Sequence, residues 1–358
     1  MEKLSGSLLG RVALRFAQQS NYVPSDLSAA LRTPSGALLV AADERASLEL
    51  LHADPQQRHA YGNHQSFALG EALGITADDE VDIEGVTCED DGSALLVIGS
   101  HSAKRKKPRG KGDAKDFERL ATVKTDPSRF VLARVPLRDG VPALASGSET
   151  SIALLPAEGE GSLLGMLEDD PHLGPFVPRL SDPGFTIPGK DNGLDIEGLV
   201  RFKNRVLVGL RGPVLRGWAF VLDFELRTSG STLELVGRGK RPYRKHALKL
   251  DGLGIRELLV EGDDVLILAG PTMTLDGAHR VFRWHGGPSK KEDTLVPQEK
   301  GTLTPLFDVP FMRGFDRAEG MARCSWFDED DSLLVVYDAP SPARRLGPSV
   351  VLADVFAR

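Results

Sequence analysis

The feature that most narrows the fold of this chain is a short hairpin that recurs along it. Its clearest copy is DIEGLVRFKNRVLVGLRG, Asp195 to Gly212: a strand opening on Asp195-Ile196-Glu197-Gly198, a polar turn at Lys203-Asn204, and a return strand ending in Arg211-Gly212. In an antiparallel hairpin those two ends lie side by side. Asp82-Ile83-Glu84-Gly85-Val86 leads through Asp90-Asp91-Gly92 into ALLVIGSHS. Ile255-Arg256-Glu257-Leu258 leads into VLILAGP, and Ala318-Glu319-Gly320-Met321 into SLLVVYDAP. Near the start, Asp26-Leu27-Ser28-Ala29-Ala30 leads through Pro34-Ser35-Gly36 into ALLVAADE. The aligned positions are Ser28, Glu84, Glu197, Arg256 and Glu319, spaced by 56, 113, 59 and 63 residues.

Three spacings are one period of about 60 and the fourth is close to two, the signature of a repeated all-β unit. A lone hairpin cannot bury its apolar faces, so copies must share a core. The expectation is an all-β, single-domain β-propeller over residues 1–358, built of four-stranded antiparallel blades. The strands GRVALRF and SVVLADVFAR at the two termini close the ring and remove free edges. The double gap between Glu84 and Glu197 contains a polar, basic insertion at 103–127. A second insertion at 149–183 has a helix expected near Ser162–Glu168. Subtracting both gives five blades, with six as the alternative.

Composition restricts the function classes. The net charge of −7 and an aromatic content of 6% argue against a nucleic-acid platform. Two cysteines, Cys88 and Cys324, imply no disulfide framework. No apolar run approaches 18 residues and no signal peptide is read, so the expectation is a cytoplasmic protein with no membrane partner.

First strands of propeller blades line the axis, so Asp82, Glu84, Asp195, Glu197, Arg256 and Glu319 are expected at one mouth. Asp43, His101, Arg211 and Asp338, at the ends of return strands, are expected beside them. Several carboxylates at one mouth repel one another unless compensated. Calcium would compensate them with oxygen coordination. Arg211 and Arg256 would do so by ion pairing, which leaves a self-neutralised plug. Arg211, Arg216, Arg244, Lys245 and His246 add cations suited to a phosphate or carboxylate. The run Lys104-Arg105-Lys106-Lys107-Pro108-Arg109-Gly110-Lys111 reads as a solvated loop, a lid for an anionic ligand or a nucleic-acid contact. Cys88 and Cys324 hold nearly equivalent repeat positions and read as small core residues. His246, His279 and His285 lack zinc-ligand spacing.

The stretches LVIGSHSAKRKKP, DNGLDIEGLV, VLVGLRGPVLRGWA and LAGPTMTLDGAHRVFRW resemble a bacterial family known only as a domain of unknown function. The resemblance runs from about Ser28 to the C-terminus and implies no settled activity. The Asp-x-Glu-Gly opening is also similar to that of esterase-like phytase propellers and, more distantly, of calcium-dependent lactonase propellers. That second resemblance implies calcium held at Glu84, Glu197 and Glu319. Ser28 and Arg256 depart from the pattern, and an arginine at the mouth favours an anion over a metal there.

Two readings of function follow. One is a metal-assisted hydrolase of a phosphoester, ester or lactone. Calcium would sit on Glu84, Glu197 and Glu319, with Arg211 and Arg256 orienting an anionic group and His101 as general acid/base. The other is a non-catalytic propeller that binds a small anionic ligand, or a partner protein, at the same mouth. Arg211, Arg216, Arg256, Asp43 and Asp338 are the candidate ligand-binding residues.

Overall fold

The computed structural model describes residues 6–20, 23–42, 46–57, 59–75, 81–144, 151–180, 185–237, 241–288, 292–326 and 329–358, the side chains of 329–331 excepted. The chain is all-β with curled, nearly closed sheets. After β1 (Leu8–Arg15), a meander runs through β2 (Leu27–Arg32), β3 (Leu38–Ala42), β4 (Ser47–Ala53) and β5 (Ala60–Ala68). A second group begins with β6 (Ile83–Cys88) and β7 (Ala94–Gly99). The chain then leaves the sheet through β8 (Lys104–Arg105), α1 (Asp113–Ala121) and β9 (Val123–Lys124). It returns as β10 (Leu132–Arg138), which pairs with β7, β11 (Val141–Pro142) and β12 (Ala153–Leu154). The basic insertion is thus not a bare loop, because it folds into a helix closed at its base by the β8–β9 pair.

The second insertion contains α2 (Leu163–Leu167), with the Ser162 hydroxyl accepting from the Gly165 N–H as its N-cap. The next group is β13 (Asp195–Phe202), β14 (Arg205–Gly212) and β15 (Trp218–Ser229), and β15 forks to β16 (Thr232–Val236) and β17 (Tyr243–Lys249). The strand β17 separates Arg244, Lys245 and His246, which the sequence reading grouped with Arg211 by nearness along the chain, from that residue by carrying them on an outer strand. Then come β18 (Gly254–Glu261), β19 (Asp264–Gly270), β20 (His279–Trp284), β21 (Thr294–Val296), which pairs with β17, and β22 (Leu303–Val309). Finally β23 (Arg317–Trp326), β24 (Glu329–Asp338) and β25 (Val350–Ala357) are completed by β1, so the N- and C-terminal strands do close on each other.

The second strands β3, β7 and β14 are apolar almost end to end because neighbouring groups cover both their faces, whereas the outer β5 is largely exposed. The cores lie between groups. Leu96 and Ile98 pack with Leu199 and Val208, while Leu266 and Leu268 pack with Met321 and Val335. The first strands touch in a ring, β2 against β6 and β23, β13 against β6 and β18, and β18 against β23.

Such close approach explains the small residue after the aligned position. A Cβ on Gly320 would stand 2.8 Å from the Ala29 carbonyl carbon and the Ala30 nitrogen, which are backbone and cannot yield. Gly320→Ala is therefore expected to lower unfolding stability by about 1–3 kcal/mol. Gly161→Ala, whose Cβ would meet only Pro156 at 3.7 Å, should be near neutral. Equal urea midpoints for the two variants would contradict this packing.

Candidate functional site

Each of the five aligned residues is the extra residue of a β-bulge. The pairing register steps over Ser28 between Leu27 and Ala29, Glu84 between Ile83 and Gly85, and Glu197 between Ile196 and Gly198. It likewise steps over Arg256 between Ile255 and Glu257, and Glu319 between Ala318 and Gly320. A bulge turns one side chain out of the ladder and bends the strand. Repeated at the same end of every first strand, it directs these side chains to the axis.

There they form one chain of alternating charge. Glu319 Oε1 accepts from Arg256 Nη1 at 2.7 Å, and the same nitrogen donates to Glu197 Oε2 at 2.8 Å. Glu197 Oε1 accepts from Arg211 Nη1 at 2.7 Å, which also reaches Asp195 Oδ2 at 3.5 Å. Asp195 lies beside the Ser102 hydroxyl. Ser102 accepts from Arg129 Nη2 at 3.0 Å, and that nitrogen pairs with Asp82. Glu84 belongs to the same field, its charge helping to hold the Arg211 proton. Ser28, the uncharged member, donates to the Ile83 carbonyl at 2.6 Å and so ties β2 to β6.

All these groups are buried, Glu84 and Glu319 the least so at 8% exposure. The basic insertion and the segment that follows the second insertion cover them. Gly189 packs so tightly that its Cβ would fall 2.5 Å from Asp195 Oδ2, its N–H donates to the Ala103 carbonyl, and Asp191 pairs with Arg105 at 2.6 Å. Burial raises the Asp195 carboxyl to about 6 despite Arg211. Burial, then the Asp338 charge, pushes Glu319 well above its usual range. For Glu197, burial works in the same direction, but Arg256 and then Arg211 outweigh it and hold the carboxyl down.

Several nitrogens at this mouth have no partner among the described residues: Arg211 Nε, Arg256 Nε, Arg129 Nη1 and both ring nitrogens of His279. His279 is 3% exposed, and burial together with the neighbouring Arg256 lowers its pKa to about 3, so the ring is neutral. The Gly277 backbone lies near the ring, outside hydrogen-bond geometry. Gly270 lets these groups approach its backbone closely, because a Cβ there would stand 2.7 Å from His279 Cδ2 and 3.2 Å from Arg256 Nε.

The expected residues fare differently. Glu84, Glu197, Glu319, Arg211 and Arg256 converge. Asp338 stands beside Glu319 and pairs with Arg317 at 3.1 Å. Arg216 is exposed in the β14–β15 turn, and it is its carbonyl that meets Lys249. Asp43 lies outside the described residues. His101 is buried with Nδ1 2.8 Å from the Gly99 carbonyl and its ring stacked on Phe130, and burial lowers its pKa to about 4. Lys245 pairs instead with Asp170, near α2, where Tyr243 joins them. Cys324 is a buried core residue, and its thiol is pushed up to about 12 by burial.

Calcium fits this donor set poorly. Guanidiniums occupy both oxygens of Glu197 and one of Glu319. Among the described residues no group of three or more His, Cys, Asp or Glu side chains is arranged to hold a metal ion. Sequence reasoning passed over Arg129, Gly270 and the role of His279. None of the three sits at the aligned position, and only spatial adjacency reveals them.

The model of a family described as "Protein of unknown function (DUF3616)" matches residues 26–354. No curated protein matches. Solved structures with similar folds include the PQQ-bound aldose sugar dehydrogenase of Streptomyces coelicolor, at 11% identity and TM-score 0.44, covering 99% of this chain and 98% of that one. The β-propeller domain of Cps50 (Swd1) from Myceliophteria thermophila aligns at 9% identity and TM-score 0.36 over 99% of both chains. Virginiamycin B lyase of Staphylococcus aureus aligns at 6% identity and TM-score 0.33, covering 93% of this chain and 67% of that one. Among the described residues, no helix is long and apolar enough to cross a membrane.

The Asp195 carboxyl gives a pH prediction. With its folded pKa raised from 3.8 to about 6, the native state binds more protons than the unfolded chain between those values. Its contribution to stability therefore falls as pH rises through that window. Asp195→Asn keeps the shape without the charge. The melting temperature of the variant relative to the native protein should accordingly rise between pH 4.5 and pH 7, and a constant or falling difference would contradict the placement.

Proposed function

We propose that this chain, which belongs to the DUF3616 family of β-propeller proteins of unknown function, is a five-bladed propeller that binds a small oxyanion at its axial mouth. Support for five blades comes from the ring of first strands β2, β6, β13, β18 and β23, each opening a four-stranded antiparallel path. Both insertions fall between consecutive strands of that series, so the double spacing needs no sixth blade.

The observation that carries the ligand reading is the set of unpartnered nitrogens at one mouth. A buried donor without an acceptor costs roughly 1–3 kcal/mol, and more when charged. An oxygen-bearing ligand would satisfy the Arg256 and Arg211 Nε–H groups and the neutral His279 ring together. Repulsion by the carboxylates is reduced because Arg256, Arg211 and Arg129 pair with several of them and burial makes Asp195 and Glu319 harder to ionise. Calcium, in contrast, would have to displace guanidiniums from Glu197 and Glu319. The anion-binding alternative thus gains over the metal-assisted hydrolase, and His101, with Nδ1 committed to Gly99, is poorly suited to the acid/base role.

Thermal-shift titration separates the two. Acetate and sulfate at millimolar concentration should raise the melting temperature, and His279→Gln should weaken that binding about tenfold with folding intact. Millimolar calcium and its chelation should leave the melting temperature unchanged, with no turnover of aryl esters, aryl phosphates or lactones. Calcium-dependent stabilisation accompanied by turnover would replace this reading with the hydrolase.

A further inference from the structure

We propose that the end of the molecule carrying the bulges docks on an anionic lipid surface, with apolar side chains from five connections entering the interface. Sheet register fixes which connections belong to this end. Strand β7 leaves it at Gly99 opposite Ile83, β19 at Gly270 opposite Gly254, β22 at Val309 opposite His279, and β24 at Asp338 opposite Arg317. The basic insertion, the segment 185–194 that leads into β13, and the connections 271–278, 310–316 and 339–349 therefore all emerge here. Among the described residues thirteen large apolar side chains are exposed, and ten of them stand on these five connections. The other three are Leu8, at the far end of β1, and Val236 and Leu295 on outer strands. At the opposite end the first strands run out through Arg32, Arg201 and Arg323, four residues beyond their bulges. The described hairpin turns there are polar, at Ser35-Gly36, Asp90-Asp91-Gly92, Lys203-Asn204 and Gly262-Asp263. Large exposed apolar groups are thus concentrated at one end, which on a soluble surface marks an interaction site.

These side chains are held out by a built framework. Asp276 Oδ1 accepts from the Gly314 N–H at 2.9 Å, which ties 271–278 to 310–316. Asp316 accepts from the Met312 N–H at 3.2 Å and from the Ser341 N–H at 2.7 Å, which ties 310–316 to 339–349. Phe311 stands edge-on to the His279 ring. So fixed, these connections leave Met273, Leu275, Met312, Phe315 and Leu346 outside the core. Across the mouth, α1 buries none of its residues. Phe117 and Leu120, three positions apart, share one face of that helix, and Phe117 is 74% exposed. Phe185, 78% exposed, and Ile187 lie on the segment joined to the same insertion by the Gly189–Ala103 hydrogen bond and the Arg105–Asp191 pair.

Charge selects the occupant. A chain of net charge −7 would be repelled by an anionic surface if its charges were evenly spread. They are not: the basic insertion at 103–127 carries nine Lys and Arg against four Asp and Glu. One of those four, Asp116, is engaged by the Arg109 and Gly110 N–H groups. Arg313 stands between Met312 and Phe315 with its side chain 93% exposed even while its Nε lies 3.5 Å from Asp276, and Arg345 is exposed beside Leu346. Apolar groups interleaved with cations suit a bilayer interface, where the former enter the acyl boundary and the latter meet headgroup phosphates. A rigid protein partner would need a matching recess for each of five connections, whereas lipid conforms to all of them. The expectation of no membrane partner rested on the lack of a spanning run, and attachment to a surface requires none.

Co-sedimentation of the full chain with lipid vesicles tests this. Vesicles of phosphatidylcholine with about 30 mol % phosphatidylglycerol should bind the protein, pure phosphatidylcholine vesicles at least tenfold more weakly, and added salt should weaken the binding. Met312→Gln combined with Phe315→Ser should lower the affinity at least tenfold. Lys107→Gln, Arg109→Gln and Lys111→Gln together should lower it at least threefold, and both variants should keep the native melting temperature because the side chains are exposed. Leu295→Gln, on the outer strand β21, should leave binding unchanged. No binding to the phosphatidylglycerol vesicles would overturn the proposal, as would equal binding by the folded Met312/Phe315 variant. Equally tight binding to pure phosphatidylcholine would overturn its anionic part. Polyglutamate bound as tightly as the vesicles at equal charge concentration would assign the surface to an acidic polypeptide instead. A dimer in sedimentation equilibrium that the same two substitutions dissociate, without vesicle binding, would assign it to a second copy of the chain.

Discussion

Burying charge at the meeting point of the first strands is the constraint that the rest of this architecture answers. One extra residue in each first strand turns a side chain toward the axis, and four of the five are ionisable. Water is excluded there, so an unmatched charge would be strongly destabilising, and removing one member of a buried pair costs about 3–5 kcal/mol. The chain solves this with cations from three unrelated sources. Arg256 comes from the repeat position itself, Arg211 from a return strand, and Arg129 from the segment re-entering the sheet after the basic insertion. Arg256 joins elements that backbone pairing leaves separate, linking β18 to β13 and β23. The charge ladder is thereby also a clasp across the ring.

Small residues make that clasp possible. Gly85, Gly198 and Gly320 follow the bulged glutamates, and a Cβ on each would strike a neighbouring first strand, at 2.7 Å from Leu199 Cβ in the case of Gly85. Where the bulged residue is Arg256, the following residue is Glu257, fully buried and bonded through Oε1 to the Leu258 N–H. Burial pushes its carboxyl well above the usual range, against backbone N–H groups of Leu258, Leu199 and Ala30 that favour the charged form.

Much of this could be read before any coordinates. The recurrence of Glu84, Glu197 and Glu319 fixed one repeat position, and the terminal strands indicated closure, because hairpin spacing and apolar alternation are written locally along the chain. The convergence of those residues with Arg211 was legible for the same reason. The bulges were not, since an extra residue leaves no compositional mark. Lys245 was misplaced because distance along the chain stood in for distance in space; β17 carries it outward to Asp170. His279 was dismissed on zinc-ligand spacing, a test unsuited to a ring whose significance lies in having no partner. The helix α1 falls inside the basic insertion and Arg129 just after it, where the repeat offers no guide.

The two ends of the channel can differ because the scaffold isolates them. Four residues of extended strand span roughly 13 Å, and effects at sites more than about 7–10 Å apart with no shared partners are usually close to additive. Between the ends, the first strands pack through Ala30, Val86, Leu199, Leu258 and Met321, of which Val86, Leu199, Leu258 and Met321 are at most 3% exposed. None of these five side chains carries a charge, so among them there is no ionisable group to relay a proton along the strands. The repeat can then place carboxylates at one level and arginines four residues on without either set neutralising the other. Had the cations stood two residues from the bulges instead, they would have entered the belt and competed with Arg211 and Arg256 for the same carboxylates. Where, along a short strand, the charged positions of the repeat fall thus decides which of them can pair.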